Sequence, residues 1–516
     1  MIDSGLLEGH PVLEPAIAEA TVLHPEFGGQ GEDTAGHGTL VAGIALYGDV
    51  LAAAREGSFD PEFWLASVRV LDDDARFPDS VNWVKAISEA IIYLAEGWQV
   101  RVINLSIGDP DSPFGGGKST ALAAELDTLI RRYQLVLIIS AGNLPHEDVD
   151  HENWPGYLLQ PEGNLLNPAQ TSAALTVGAM SGSDGLTDRS IGTTLDAVAV
   201  ASASGPAPFS RSGPGVRGAI KPEFSAEGGN YRYDLTTGTV HPDPAIEVVS
   251  TSGRYPTRLF ETASGTSFAA PVITNVAGRL ITRYPGLSSH VIRALMLQGA
   301  AHLEETEQLL SSFEDPEAAR HALCGFGALE WERCGFSDDN RVVMVAEAEL
   351  LPDDFHVYRI PMPPQFTDVS GAHEITVGLA FSPPVRNRRY DYLGFQMDFQ
   401  LLRGLELEQV FELASGELDS PEGAKLSDHE RTMRPTRTDR NKGANQMARY
   451  SSSQRPHQDF REDWFLVVKS LDKWMQPGSS PQSYGLAVSL EVERATELYA
   501  EMELRLAAEL EAQARV

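Results

Sequence analysis

Apolar residues along this chain follow two regimes. From Met1 to about Gly335, short β-rich apolar runs alternate with stretches of helical period. Leu65 to Val70, Val100 to Ile107, Val136 to Ser140 and Ala174 to Ala179 read as buried strands, while Asp79 to Glu96 and Thr120 to Tyr133 carry apolar residues at helical spacing. Repeated strand-then-helix order is the pattern of a parallel sheet, because each parallel connection must cross a face of the sheet. Residues 1–335 are therefore expected to form an α/β unit, mainly parallel sheet flanked by helices.

Beyond Gly335 the period shortens to two. Phe355 to Ile360, His373 to Phe381, Leu393 to Leu402, Trp464 to Val468 and Tyr484 to Val492 read as alternating strands with few helical stretches between them. A C-terminal β-sandwich domain over residues 336–495 is the expectation. Inside it, residues 415–459 are polar, aperiodic and broken by the basic piece RTMRPTRTDRNKG, which predicts a long mobile loop. Residues 496–516 are rich in Glu, Ala and Leu and predict a terminal extension, helix or strand, since Ala500, Met502, Leu504 and Leu506 also alternate. No internal repeat is found.

Composition narrows the class. With 516 residues and 42% hydrophobic content, the chain exceeds one ordinary domain and can bury a large core. Its longest apolar runs, such as Leu135 to Ala141, fall far short of the roughly 20 residues that a bilayer crossing needs. The start, MIDSGLLEGH, has neither a basic region nor an apolar core like that of a secretory signal, so a cytoplasmic location is expected. Two cysteines, Cys324 and Cys334, lie apart from any zinc-type cluster and read as reduced thiols. A net charge of −33 argues against nucleic acid and anionic membranes as partners; it favours basic polypeptides only weakly, because salt screens the attraction.

Three distant segments each hold a residue suited to acyl transfer. Asp3 closes a short apolar strand in MIDSG, His37 opens an apolar helix in GHGTLVAG, and Ser267 starts the helical run in SGTSFAAP. A serine hydroxyl becomes a useful nucleophile when an imidazole takes its proton, and the imidazole needs a buried acid to hold its tautomer. A helix N-terminus at Ser267 adds unpaired N–H groups beside developing negative charge. Gly265 permits close backbone approach, and Pro271 is expected within the first helical turn, where its missing donor costs nothing. Asn143, ending SAGN after an apolar strand, can donate its amide to the tetrahedral oxyanion, a contribution of roughly 3 kcal/mol.

The order Asp, His, Asn, Ser in DSG, HGT, SAGN and GTSFAAP resembles the subtilisin-like serine peptidases, the peptidase S8 family. INLSIGD at Ile103 to Asp109, FSRSGP, IKPEFSAEG and GFGALEWERC extend the likeness over about the first 335 residues. The resemblance implies a serine endopeptidase acting on protein or peptide substrates, with Asp3, His37 and Ser267 as the triad and Asn143 in the oxyanion hole. It also implies that substrate adds as an extended strand beside Ser106, Ile107 and Gly108, with Asp109, Ser140, Ala141 and Gly142 nearby. Asp109 is a candidate for selecting Arg or Lys, or else a surface turn acid.

Other signals give way to simpler readings. GGGKST at 115–120 misses the spacing of a phosphate loop, and HEDVDH at 146–151 separates its histidines by five positions, which does not place them on one helix face. The latter reads as an acidic loop; calcium is conceivable there but not indicated, and no cofactor is required. Asn104-Leu105-Ser106 forms a sequon inside an expected buried strand, and glycosylation is not expected.

Two features depart from the family pattern: only Met1 and Ile2 precede Asp3, and no pro-segment is seen. A chain with more residues before Met1 is expected to be more stable, and restraint of activity is expected to come from elsewhere. The competing reading is a restrained or inactive subtilase scaffold whose β-domain docks a regulatory protein; by resemblance to bacterial relatives without a pro-segment, an AAA-type ATPase is one such partner.

Overall fold

A computed structural model describes residues 1–78, 80–186, 197–389, 391–416, 426–452, 458–475, 480–500 and 502. Two compact units divide the chain. The first comprises Met1–Ser289, Ala300–Leu329 and Val385–Tyr392, and the second His290–Gly299, Glu330–Pro384 and Leu393–Val516.

The first unit is built on seven strands: β1 (Ile2–Asp3), β2 (Ile17–Val22), β3 (Leu65–Arg69), β4 (Val102–Leu105), β5 (Val136–Ser140), β6 (Leu175–Met180) and β7 (Phe224–Glu227). They lie in the order β7-β6-β5-β4-β1-β3-β2, and every pairing is parallel. Every residue of β3, β5 and β6 is buried, as sheets covered on both faces require, which is why these strands are mostly apolar and do not alternate. The flanking helices include α1 (His37–Tyr47), α2 (Trp83–Ile92), α3 (Ala121–Tyr133) and α4 (Thr266–Arg283). Asn82 and Thr120 begin α2 and α3 by accepting from Lys85 N–H and Ala123 N–H, the usual side-chain answer to unpaired first-turn donors. In α1, Gly38 to Leu46 are all buried, so its lack of a polar face marks a core helix. Among the described residues no single helix is long and apolar enough to cross a membrane.

Although β1 has only two residues, it is central: Ile2 pairs with Val68 on one side and Leu105 on the other. The Met1 amino group is buried and donates to Ala66 O at 2.7 Å. Burial pushes its pKa down to about 5, against an opposing pull from Asp3.

The second unit contains β8 (Arg341–Leu350), β9 (Phe355–Ile360), β10 (His373–Phe381), β11 (Phe395–Arg403), β12 (Asn445–Ser452), β13 (Trp464–Asp472) and β14 (Gln482–Val492). They form two antiparallel sheets, β8-β14-β10-β12 and β9-β13-β11. Residues 290–299 group with this unit because glycines in two strands let the helix approach. A Cβ on Gly378 would stand 2.3 Å from Ala294 O, and one on Gly485 2.3 Å from the His290 carbonyl carbon. A single cut at residue 335 therefore does not separate the units.

The mobile loop expected over 415–459 is corrected where it is described. Residues 417–425 and 453–457 lie outside the described residues, but β12 is a full strand paired with β10. Its polar start misled the composition argument: Asn445 and Gln446 are buried, and Gln446 donates to Met397 O and Gly443 O. The basic piece is also anchored, since buried Arg440 donates to Pro435 O and Phe399 O and stacks over the Phe399 ring. Of the tail expected over 496–516, residues 501 and 503–516 lie outside the described residues.

Candidate active site

Adjacent strands β1, β4 and β5 deliver Asp3, Ser106 and the Ser140–Asn143 segment to one edge of the sheet, at the carboxyl ends where open α/β sheets bind ligands. Asp3 is fully buried, and its Oδ1 accepts from His37 Nδ1 at 2.6 Å and from Ser4 N–H at 2.8 Å. Because an ionised carboxylate only accepts, Nδ1 carries the proton and Nε2 is left as the base. Gly38 makes this approach feasible, for a Cβ there would stand 2.2 Å from Gly5 O and 3.3 Å from Asp3 Oδ1.

A second carboxylate, not singled out by the motif reading, organises the start of α1. Asp33 is buried; its Oδ1 accepts from Ser4 Oγ (2.9 Å) and Gly36 N–H (2.8 Å), and its Oδ2 from Thr39 N–H and Thr39 Oγ1, both at 2.7 Å. Ser4 Oγ in turn accepts from Gly38 N–H at 2.9 Å. These contacts satisfy the free donors of the helix that carries His37. They also act on its charge. Burial alone would lower the His37 pKa, but the charge and hydrogen bond of Asp3, and then the charge of Asp33, outweigh it and raise the value above the ordinary one. The signal in sequence was an Asp four residues before the histidine, ahead of an apolar helix.

On the nucleophile's side, α4 starts at Thr266, so Pro271 lies in the second turn rather than the first. Its missing N–H would have served Ser267 O, four residues back. Ser106 Oγ fills that role, donating to Ser267 O at 3.1 Å, which explains how proline is tolerated there. Ser267 Oγ donates to Ser106 O at 3.4 Å, while the His37 ring lies against Phe268, the next residue, with centroids 5.5 Å apart. The structure thus gathers the serine and histidine on one edge, with the hydroxyl aligned on Ser106 and not on the imidazole.

Asn143 is exposed, and its side-chain Oδ1 accepts from Thr266 N–H at 2.8 Å and Thr266 Oγ1 at 3.0 Å, while its Nδ2 lies beside Gly265, where an added Cβ would stand 3.2 Å from it. Behind it, Arg211 Nε donates to Asn143 O at 3.0 Å. Neither Thr266 nor Arg211 was given a role by sequence reasoning, although both sit inside the quoted motifs.

The expected substrate segments divide. Ser106 to Gly108 leave the end of β4, with Ser106 and Ile107 buried. Ser140 and Ala141 are also buried; Ala141 N–H donates to Val177 O, Ala141 O accepts from Leu166 N–H, and Gly142 N–H donates to Thr266 Oγ1. These main-chain groups are committed inside the chain, which makes this segment a wall. Asp109 Oδ1 accepts from Asp111 N–H at 3.1 Å, the geometry of a turn acid. His146 meets the Tyr231 ring and His151 the Tyr233 ring. Among the described residues, no group of three or more His, Cys, Asp or Glu is arranged to hold a metal ion.

With this geometry in view, three comparisons place the chain among known proteins. The sequence profile of the Subtilase family matches residues 1–327. The chain is 35% identical over 396 residues to "Uncharacterized protein y4bN" of Sinorhizobium fredii, covering 75% of this chain and 91% of that protein. Among solved structures it is similar to a cold adapted subtilisin-like serine proteinase, at 20% identity and a TM-score of 0.38, over 59% of this chain and 82% of that one.

Proposed function

The chain belongs to the subtilase family, and on that premise we propose that it is a serine endopeptidase using Ser267, His37, Asp3 and Asn143. The observation that carries this reading is the 2.6 Å bond from His37 Nδ1 to the buried Asp3 carboxylate, on the sheet edge that also bears Ser267. In the proposed reaction Ser267 Oγ attacks a peptide carbonyl while His37 Nε2 takes its proton. Asp3 keeps the imidazole oriented and stabilises its positive form, and Asn143 Nδ2 donates to the oxyanion. The imidazolium then protonates the departing amine, and water, activated by the same histidine, releases the acyl group from Ser267. No step needs a cofactor. The substrate lies as an extended strand beside Ser106 to Gly108.

A fluorophosphonate probe tests the reading directly, since it bonds covalently to an activated serine. The wild-type protein should be labelled at Ser267 and Ser267→Ala should not; an unlabelled wild type, or labelling that survives in Ser267→Ala, would overturn it. A second reading, a catalytically restrained subtilase answering to a regulatory protein, is favoured by the alignment of Ser267 Oγ on Ser106 O. It predicts that adding the partner speeds labelling.

A further inference from the structure

Arg211, in FSRSGP, has no part in the reaction above, yet it is buried with 5% of its surface exposed. Its guanidinium donates only to main-chain carbonyls: Nε to Asn143 O at 3.0 Å, and Nη1 to Glu162 O and Asn164 O, both at 2.8 Å. Among the described residues no carboxylate lies within ion-pair distance of it, although the charge of Asp148 acts on it from farther off and partly offsets the effect of burial. A buried cation with no carboxylate in contact is costly, and a neutral amide could staple carbonyls with less desolvation. A positive charge at this position therefore asks for an explanation beyond loop packing.

The explanation lies in what it grips. Ser210 bridges Asn143, and Leu144 N–H donates to Phe209 O, so residues 209–211 are zipped along the Asn143–Leu144 backbone. Asn143 is held at two points: Arg211 fixes its main-chain carbonyl and Thr266 fixes its side-chain carbonyl. The first bond restrains the backbone that carries the side chain and the second the side-chain torsions that aim Nδ2, in a residue that is exposed at the site.

We propose that Arg211 is a positioning residue for the oxyanion donor, locking the Asn143 backbone and setting a positive charge behind its amide. This rests on the endopeptidase reading. Preorganised donors and charge in a partly buried site act on the tetrahedral state more than on the bound ground state, so the maximal rate should change and half-saturation should not.

Fluorophosphonate labelling of Ser267, followed over time and probe concentration, serves as the test because it needs no known substrate. Arg211→Met should slow the maximal labelling rate by about 10- to 100-fold with half-saturation unchanged, and Arg211→Gln, which keeps amide donors but loses the charge, should fall between it and wild type. In an Asn143→Ala background, Arg211→Met should cost less than about twofold, because its effect passes through Asn143. Equal losses in both backgrounds, or none in either, would overturn the proposal in favour of simple loop packing. Melting curves for each variant establish that folded protein is being compared, and Arg211→Gln carries the same double-mutant comparison if Arg211→Met does not fold. If wild-type protein is not labelled at Ser267 at all, the endopeptidase reading fails and this one falls with it.

Discussion

The two flanks of the candidate site are held in opposite ways. On the histidine flank the supports are carboxylates: Asp3 grips the imidazole, and Asp33 ties Ser4, Gly36 and Thr39 into the start of α1. On the asparagine flank the supports are a hydroxyl-bearing helix start and a guanidinium, Thr266 and Arg211. Negative charge stands behind the group that would become positive, and positive charge behind the group that would face an oxyanion. Since acyl transfer creates those two charges together, the sorting of fixed charges matches the polarity of the proposed transition state.

Breaking either flank should reveal that asymmetry. The largest effect is expected from His37→Ala, which removes the base and should lower peptide hydrolysis by about 10⁴-fold or more; a loss below tenfold would mean that the histidine flank is not catalytic. Asn143→Ala should reduce kcat by about 10²- to 10³-fold with KM little changed, and a change confined to KM would instead assign Asn143 to ground-state binding.

Asp33→Asn tests the negative flank through pH. The imidazole must be neutral to act as base, so activity should rise as pH rises through the elevated His37 pKa, whose elevation rests partly on Asp33. Removing that charge should move the midpoint of the kcat/KM profile to lower pH, and an unmoved midpoint would confine Asp33 to a structural role. The same elevation has a stability consequence of fixed sign: the contribution of His37 to folding is complete below its unfolded value, near 6.5, and is lost as pH rises through the folded value.

His10 should show the reverse sign, and a smaller effect. It is buried, its Nδ1 accepts from Val12 N–H and its Nε2 donates to Leu259 O, a pattern only the neutral ring can satisfy. Burial lowers its pKa, so its contribution is present above about 6.5 and is lost as pH falls through the folded value. Acidifying from pH 7.5 to 5.5 should therefore lower Tm more in wild type than in His10→Gln; equal drops would dismiss the idea. The smallest effect is expected at Asp109, whose carboxylate already closes its own turn. Asp109→Asn should alter the preference for Arg over Leu beside the scissile bond by less than about threefold, and a larger change would make it a specificity residue.

Much of the architecture was legible because burial leaves a local mark. Val136 to Ser140 reads as a strand since both its faces are covered, and His373 to Phe381 has the bounds expected of it. Asp3, His37, Asn143 and Ser267 stood out because each belongs to a short motif at a strand or helix end. What stayed hidden depends on partners far along the chain. Pro271 is tolerated through Ser106, which lies 161 residues from Ser267 in sequence, and Arg211 reaches Asn143 across 68. Polar Gln446 is buried because Met397 O and Gly443 O receive it, and residues 290–299 join the second unit through clearances at Gly378 and Gly485. Residue type and period alone therefore determined many of the elements and named the candidate reactive groups, because each of these is written within a few neighbouring positions. Only the tertiary structure decided which buried charges and carbonyls face one another, because such contacts depend on distance in space, which local composition does not encode.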